Sequence, residues 1–208
     1  MTKSSDRLVV FDLDGTLVDS RRALLEAHKE AWTSLGLQCP DEQEILNLIG
    51  LPLNHTMRTL GPNEDHALLA EAYSCAYIET AKRYETLFNG MTALLERPFR
   101  AAVATGKSQK GANRAVKRHG LEDRFEIVLG GNSVPRAKPH PDMLEVIMKK
   151  SGTTDLVMIG DTTYDLEMAH AAGVQAIGVS WGHHSTERLR QWAPVVDTVQ
   201  ELTHLLGF

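Results

Sequence analysis

The chain is poor in cysteine, in long apolar runs and in positive charge. Its two cysteines, Cys39 and Cys75, have no metal-ligand spacing and build no disulfide framework, which suits a reducing cytosol. No apolar run nears the roughly 18 residues of a membrane span. The opening stretch MTKSSDRLVVF offers only Leu8, Val9, Val10 and Phe11 before acids appear, too little apolar sequence for a signal peptide. A net charge of −5 argues against an electrostatic grip on nucleic acid. Internal repeats and low-complexity tracts are also missing.

What remains is ordinary globular composition, 42% hydrophobic and 24% charged. A length of 208 residues allows one generous domain, or a core with a smaller module. Short apolar segments recur at Leu8–Phe11, Ala101–Ala104, Glu126–Leu129, Leu156–Ile159 and Ala176–Val179. Between them, Gln109–His119, Asp142–Lys150 and Tyr164–Ala172 carry apolar residues at helical spacing. This alternation predicts an α/β fold, a doubly wound, Rossmann-like parallel sheet with helices on both faces. Val195–Val199 reads as a short edge strand. From about Val18 to Phe88 no strand is evident; Arg21–Leu35, Gln43–Ile49 and Glu64–Glu85 read as helices, with Pro40, Pro52 and Pro62 between them. So long an insertion is no simple crossover. The expected organisation is a core of residues 1–17 and 89–208 with an all-helical module of residues 18–88 over the carboxyl edge of the sheet.

The run FDLDGTLVDS is the most informative segment. Asp12 and Asp14 follow a buried strand, and Gly15 and Thr16 follow where the chain must turn. Acids at the end of a core strand are costly unless a cation binds there, and in an open α/β sheet that edge is where ligands bind. The later strands also end in chemistry: Thr105-Gly106-Lys107-Ser108, the loop GGNSVPRAKPHP with Lys138, and GDTTYD with Asp161 and Asp165. Oxygen-only acidic ligands favour a hard cation, Mg²⁺ above all. A hydroxyl, a lysine and glycine-exposed N–H groups favour a phosphoryl group. Both together read as phosphoryl transfer. A carboxylate approaching a phosphate dianion meets about 4 kcal/mol of repulsion per unit-charge pair at 4 Å and an effective dielectric of 20, so a divalent cation and a lysine are requirements of such a mechanism.

In this order the four motifs resemble those of the haloacid dehalogenase-like superfamily of hydrolases. DLDGTL resembles its first motif, TGKS its second, AKPHP its third and GDTTYD its fourth, and the helical insertion resembles the family's cap of the first type. VPRAKPHPD and AAGVQAIGVSWG are most similar to the phosphoglycolate phosphatase-like members. The resemblance implies that Asp12 is the nucleophile and forms an aspartyl-phosphate. It implies that Asp14 protonates the leaving alcohol and then acts as base on water. Leu13, Thr105, Gly106 and Lys138 are implied to bind the phosphoryl group. Mg²⁺ would sit on the Asp12 carboxylate, the Asp14 carbonyl and Asp161, with Asp165 auxiliary. The implied protein is a cytoplasmic, Mg²⁺-dependent phosphatase for a small phosphorylated metabolite of the phosphoglycolate kind, with no nucleic-acid or membrane partner, a monomer or weak homodimer. Two departures stand out. MTALLERPFR is short where the family usually has a longer helix, and Pro98 cuts it. Asn132 and Ser133 stand where an acid often follows the glycines, which speaks against a metal ligand from that loop.

Each motif has a plainer reading. Thr105 could cap the next helix, Lys138 could be a solvated loop lysine, and Asp161 and Asp165 could form an Asx-turn and a wet helix face. Singly these hold; jointly they do not. GKS at 106–108 is no nucleotide P-loop, because Ala101 stands where that motif needs glycine. His183 and His184 resemble no zinc site and read as a loop near the mouth of the site. His55 and Arg58 read either as substrate contacts or as an exposed helix face. The rival functions are a phosphomutase on the same fold and intermediate, a receiver-like phospho-aspartate domain, and a binding module without catalysis. The receiver lacks such an insertion, and the intact acids argue against the last. A dehalogenase would not need the acid at Asp14.

Overall fold

The computed structural model describes residues 6–208. A six-stranded parallel sheet forms the centre, built from β1 (Leu8–Phe11), β4 (Arg100–Thr105), β5 (Ile127–Gly130), β6 (Leu156–Gly160), β7 (Gln175–Val179) and β8 (Val195–Val196). Its order is β5-β4-β1-β6-β7-β8. The expected α/β fold is therefore the one observed. β1 lies between β4 and β6, in register Phe11↔Val103 and Phe11↔Ile159. After β5 the chain returns across β1 to build the other half of the sheet, so the crevice at a topological switch point opens over β1.

Strand residues alternate between two apolar layers, as the two-residue period of a strand requires. Val9, Phe11, Val103 and Ile159 join one layer, closed by α5 (Met91–Leu95), α6 (Gln109–Arg118) and α10 (Val199–Leu205). Leu8, Val10, Ala102 and Met158 join the other, closed by α7 (Asp142–Ser151) and α8 (Thr163–Ala171). A four-residue helix, α9 (Thr186–Leu189), lies before β8. The edge strand is shorter than Val195–Val199: it stops at Val196, and Thr198 caps α10 by accepting from the Glu201 N–H.

The insertion holds α1 (Arg21–Ser34), α2 (Glu42–Asn47), α3 (Leu53–Leu60) and α4 (His66–Tyr84). α1 and α4 pack along one another and share an apolar cluster of Leu24, Ala27, Trp32, Met57, Leu69 and Tyr73, separate from the two sheet layers. The expectation of no strand between Val18 and Phe88 fails at both ends. β2 (Val18–Asp19) and β3 (Thr86–Leu87) pair antiparallel where the chain leaves and re-enters the sheet region. Two-residue strands are too short to show a period in sequence.

Candidate active site

Three neighbouring strands deliver the expected residues to one place. Asp12 follows β1, Thr105 ends β4 and Asp161 follows β6; all three are buried. Gly15 turns the chain back beneath them with φ +77°, and any Cβ there would run into the Asp161 carboxylate and the His183 ring. Only glycine tolerates both the conformation and the contact.

The Lys138 ammonium is fully enclosed, 3.0 Å from Asp12 Oδ1 and 2.5 Å from Asp165 Oδ1. This is not a solvated loop lysine. The Leu13 N–H also donates to Asp12 Oδ1, at 2.7 Å. Asp165 Oδ2 accepts from the N–H and hydroxyl of Thr162, at 3.1 and 2.7 Å. Asp165 thus orients Lys138 at the start of α8. Asp161 accepts from the Thr16 hydroxyl at 3.0 Å on one oxygen, and from the His183 N–H at 2.8 Å on the other. His183 Nδ1 also lies 2.8 Å from that second oxygen. The helix after β4 is capped by Ser108, whose Oγ accepts from the Gly111 N–H. Thr105 is not the cap; it sits buried at the strand end.

The site is short of positive charge. Burial pushes the Asp12 carboxyl up to about 7, and neighbouring Asp165, Asp161 and Asp14 add to the rise against the opposing charge of Lys138. Burial likewise raises Asp165 despite its lysine. Burial opposes the charge on Asp161, yet the His183 ring and the Thr16 hydroxyl outweigh it and hold this carboxyl below its ordinary value. The Lys138 ammonium is held above its ordinary value: burial opposes the charge, and Asp12 and Asp165 overcome it.

These features fit a divalent cation. Asp12, Asp161 and Asp165 each bring an oxygen within 4.8 Å of the others, all buried. Asp12 Oδ2 is buried and has no hydrogen-bond partner. An unpaired carboxylate oxygen among buried acids is what a hard cation relieves. Asp165 gives one oxygen to the Lys138 ammonium and the other to Thr162, whereas Asp161 bonds no lysine among the described residues, so Asp12 and Asp161 are the better donors. Asn132 and Ser133 look elsewhere: the Asn132 Oδ1 accepts from the Gln109 N–H, and Ser133 donates to the Gln109 side chain, fastening the start of α6.

A cavity of about 350 Å³ opens from Asp12, Asp14, Thr105 and Gly106 toward the helices of the insertion. Gly106 meets the insertion directly: a Cβ there would lie 2.7 Å from the Gly50 carbonyl carbon and 3.0 Å from the Leu51 oxygen. Tyr164 on α8 donates to the Asn47 carbonyl at 2.9 Å. Asp14 faces this cavity and pairs with Lys107 at 2.9 Å. In sequence Lys107 is legible only within the TGKS segment, with no role of its own. Tyr77 and Glu85 were not singled out at all. Tyr77 donates toward Asp14 at 3.5 Å and bonds Glu85, which in turn pairs with Arg118. Nothing in the local pattern marks either residue, since both read as ordinary positions near the end of a long helix.

The two histidine readings divide. His183 touches Asp161, as above. His184 supports the fold, accepting from the Thr163 N–H at 3.0 Å and meeting the Tyr164 ring edge-on. His55 and Arg58 are exposed on α3 and do not line the cavity, so the helix-face reading holds for both.

Known proteins match this arrangement. A family model described as haloacid dehalogenase-like hydrolase matches residues 9–179. A protein named "Probable phosphatase IndB" from Dickeya dadantii (strain 3937) is 35% identical over 209 residues, covering 94% of this chain and 91% of its own. A phosphoglycolate phosphatase of Vibrio vulnificus (strain YJ016) is 31% identical over 221 residues, covering 97% and 96%. The solved structure of SP0104 from Streptococcus pneumoniae, described as a haloacid dehalogenase-like family protein, has a TM-score of 0.84 at 25% identity, covering 98% of this chain and all of that one.

Proposed function

The chain belongs to the haloacid dehalogenase-like hydrolase family, and on that premise we propose that it is a Mg²⁺-dependent phosphatase for a small phosphate monoester of the phosphoglycolate kind. One observation carries the reading: Asp12, just past the central strand, lines the cavity with one oxygen on Lys138 and the other unpartnered in a buried acidic cluster. The Asp12 carboxylate attacks phosphorus, the bond to the ester oxygen breaks, and that oxygen leaves with a proton from Asp14. Asp14 then takes a proton from water as it attacks the aspartyl-phosphate, which releases inorganic phosphate and restores Asp12. Thr105, with the N–H groups of Gly106 and Leu13, holds the phosphoryl oxygens. Lys138 offsets the repulsion between Asp12 and the dianion, while Asp165 keeps the ammonium aimed.

Mg²⁺, when bound, supplies the remaining positive charge at the phosphoryl oxygens. Asp12, Asp161 and the Asp14 carbonyl would hold it. Residues 18–88 act as a cap over a core of residues 1–17 and 89–208, and closure excludes water from the first step. The free thiols of Cys39 and Cys75 support a reducing cytoplasm, where the protein works as a monomer or weak homodimer on a phosphorylated metabolite.

The test is hydrolysis of 4-nitrophenyl phosphate by wild type and by Asp12→Asn. Wild type turns over and carries a transient phosphoryl mass on the Asp12 peptide; the variant does neither. Wild-type turnover in Asp12→Asn would end the assignment.

A further inference from the structure

Arginines that are half-buried in this protein have partners, with one exception. Arg100 pairs with Glu126, Arg118 with Glu85, and Arg124 donates to the Leu95 and Phe99 carbonyls. Arg114 is half-buried too, lines the active-site cavity, and has no hydrogen bond or ion pair among the described residues. Lys110, one turn earlier on the same face of α6, lines the same cavity and is also unpaired. Glu71 lines the cavity too, yet makes no ion pair with either cation. Lys107 is already committed to Asp14. Much of the remaining wall is apolar, including Leu24, Ile45, Ile49, Leu53 and Tyr73. Arg114 and Lys110 thus bring positive charge, with no partner among the described residues, to the cavity wall, where a bound anion would pair with it.

We propose that Arg114, with Lys110 at the rim, binds a second anionic group on the substrate's leaving group. The inference rests on the phosphatase reading and shifts its substrate from phosphoglycolate itself to longer esters. Its reach sets a length. Arg114 stands six residues along α6 from its Ser108 cap, a rise of roughly 9 Å, so it lies apart from the phosphoryl-binding end at Thr105. A glycolate carboxylate lies too close to its phosphorus to use this cation fully. The favoured substrate is a longer phosphate ester whose carboxylate or second phosphate sits at the far end of an apolar spacer. A planar guanidinium pairs two-pronged with either group.

The test uses phosphate esters of ω-hydroxy acids of increasing chain length, each beside its uncharged ω-amide. The readout is the ratio of kcat/KM for acid over amide within one protein, so changes in folding or general activity cancel. Wild type should favour the acid roughly tenfold or more, most strongly at a chain longer than glycolate. Arg114→Gln should bring the ratio close to one, Arg114→Lys should keep part of it, and Lys110→Gln should lower it less. A ratio near one in wild type, a ratio that peaks at glycolate, or one unchanged in the Lys110→Gln, Arg114→Gln double variant would overturn the proposal. The same assay separates the two levels. Hydrolysis of 4-nitrophenyl phosphate without any acid preference removes this inference alone. A wild type inert toward every ester removes the phosphatase reading and this with it.

Discussion

The Lys107 ammonium sits 2.9 Å from Asp14 Oδ2, 2.8 Å from the Tyr77 hydroxyl and 4.0 Å above the centre of the Tyr77 ring. One side chain of the core therefore fixes the proposed acid–base and a residue of the insertion together. Lys107→Met should lower kcat for 4-nitrophenyl phosphate by about 10–100-fold, the scale of a lost charge-assisted hydrogen bond. Lys107→Arg should recover part of it. Steady-state kinetics of the three proteins checks this; an unchanged kcat in Lys107→Met would refute it.

Gly106→Ala should obstruct the approach of the insertion. The added methyl meets backbone at Gly50 and Leu51, which a side-chain rotation cannot relieve. The expected result is a raised KM and a reduced kcat with the sheet intact, read by kinetics beside circular dichroism.

Asp165→Ala should destabilise the fold by about 3–5 kcal/mol, because it strips a partner from an enclosed lysine. Asp165→Asn, which keeps the shape and the acceptor oxygen, should cost less. Urea denaturation midpoints at pH 7 decide it.

Buried titratable groups make the fold sensitive to acid. Burial lowers the His28 imidazole from 6.5 to about 4. The unfolded chain takes up this proton first, so stability falls as pH drops from 6.5 toward 4, by on the order of 3 kcal/mol in full. Burial lowers the His184 imidazole to about 4 as well, so His28→Gln should reduce the slope in that window without abolishing it. Glu85 acts lower down: burial opposes its charge, but His119, Lys107, Tyr77 and Arg118 hold its carboxyl at about 2, against 4.5. Its contribution is complete above 4.5 and is lost as pH falls through 2. Urea unfolding across pH 3–8 separates the two.

Mg²⁺ should raise the melting temperature, since binding to the folded form alone stabilises by about 2.7 kcal/mol at a hundredfold excess over Kd. The affinity should weaken about tenfold per pH unit below the Asp12 value of about 7, as proton and metal compete for one carboxylate. Titration calorimetry at pH 8 and pH 6 measures it; equal affinities would refute the competition.

Much of this was legible in the chain. The strand Leu8–Phe11 was read with its observed bounds, because a buried parallel strand is a continuous apolar run with a hard polar stop. The convergence of Asp12, Thr105, Lys138 and Asp161 followed from strand ends in a parallel sheet sharing one edge. α3 was missed because Pro52 looked like punctuation, whereas it stands just ahead of the first turn, where proline is tolerated. The Lys107, Tyr77 and Glu85 cluster was invisible for another reason. Tyr77 and Asp14 are 63 residues apart, and only the seating of α4 against the core brings them together.

The paired strands Val18–Asp19 and Thr86–Leu87 place the two junctions of the helical insertion side by side. A tight turn could replace everything between them without moving a single ladder hydrogen bond of the main sheet. The insertion is thereby a separable cassette, and a foreign helical cassette spliced at these two junctions would keep Asp12 and the α6 cations Lys110 and Arg114 while replacing the rest of the cavity wall.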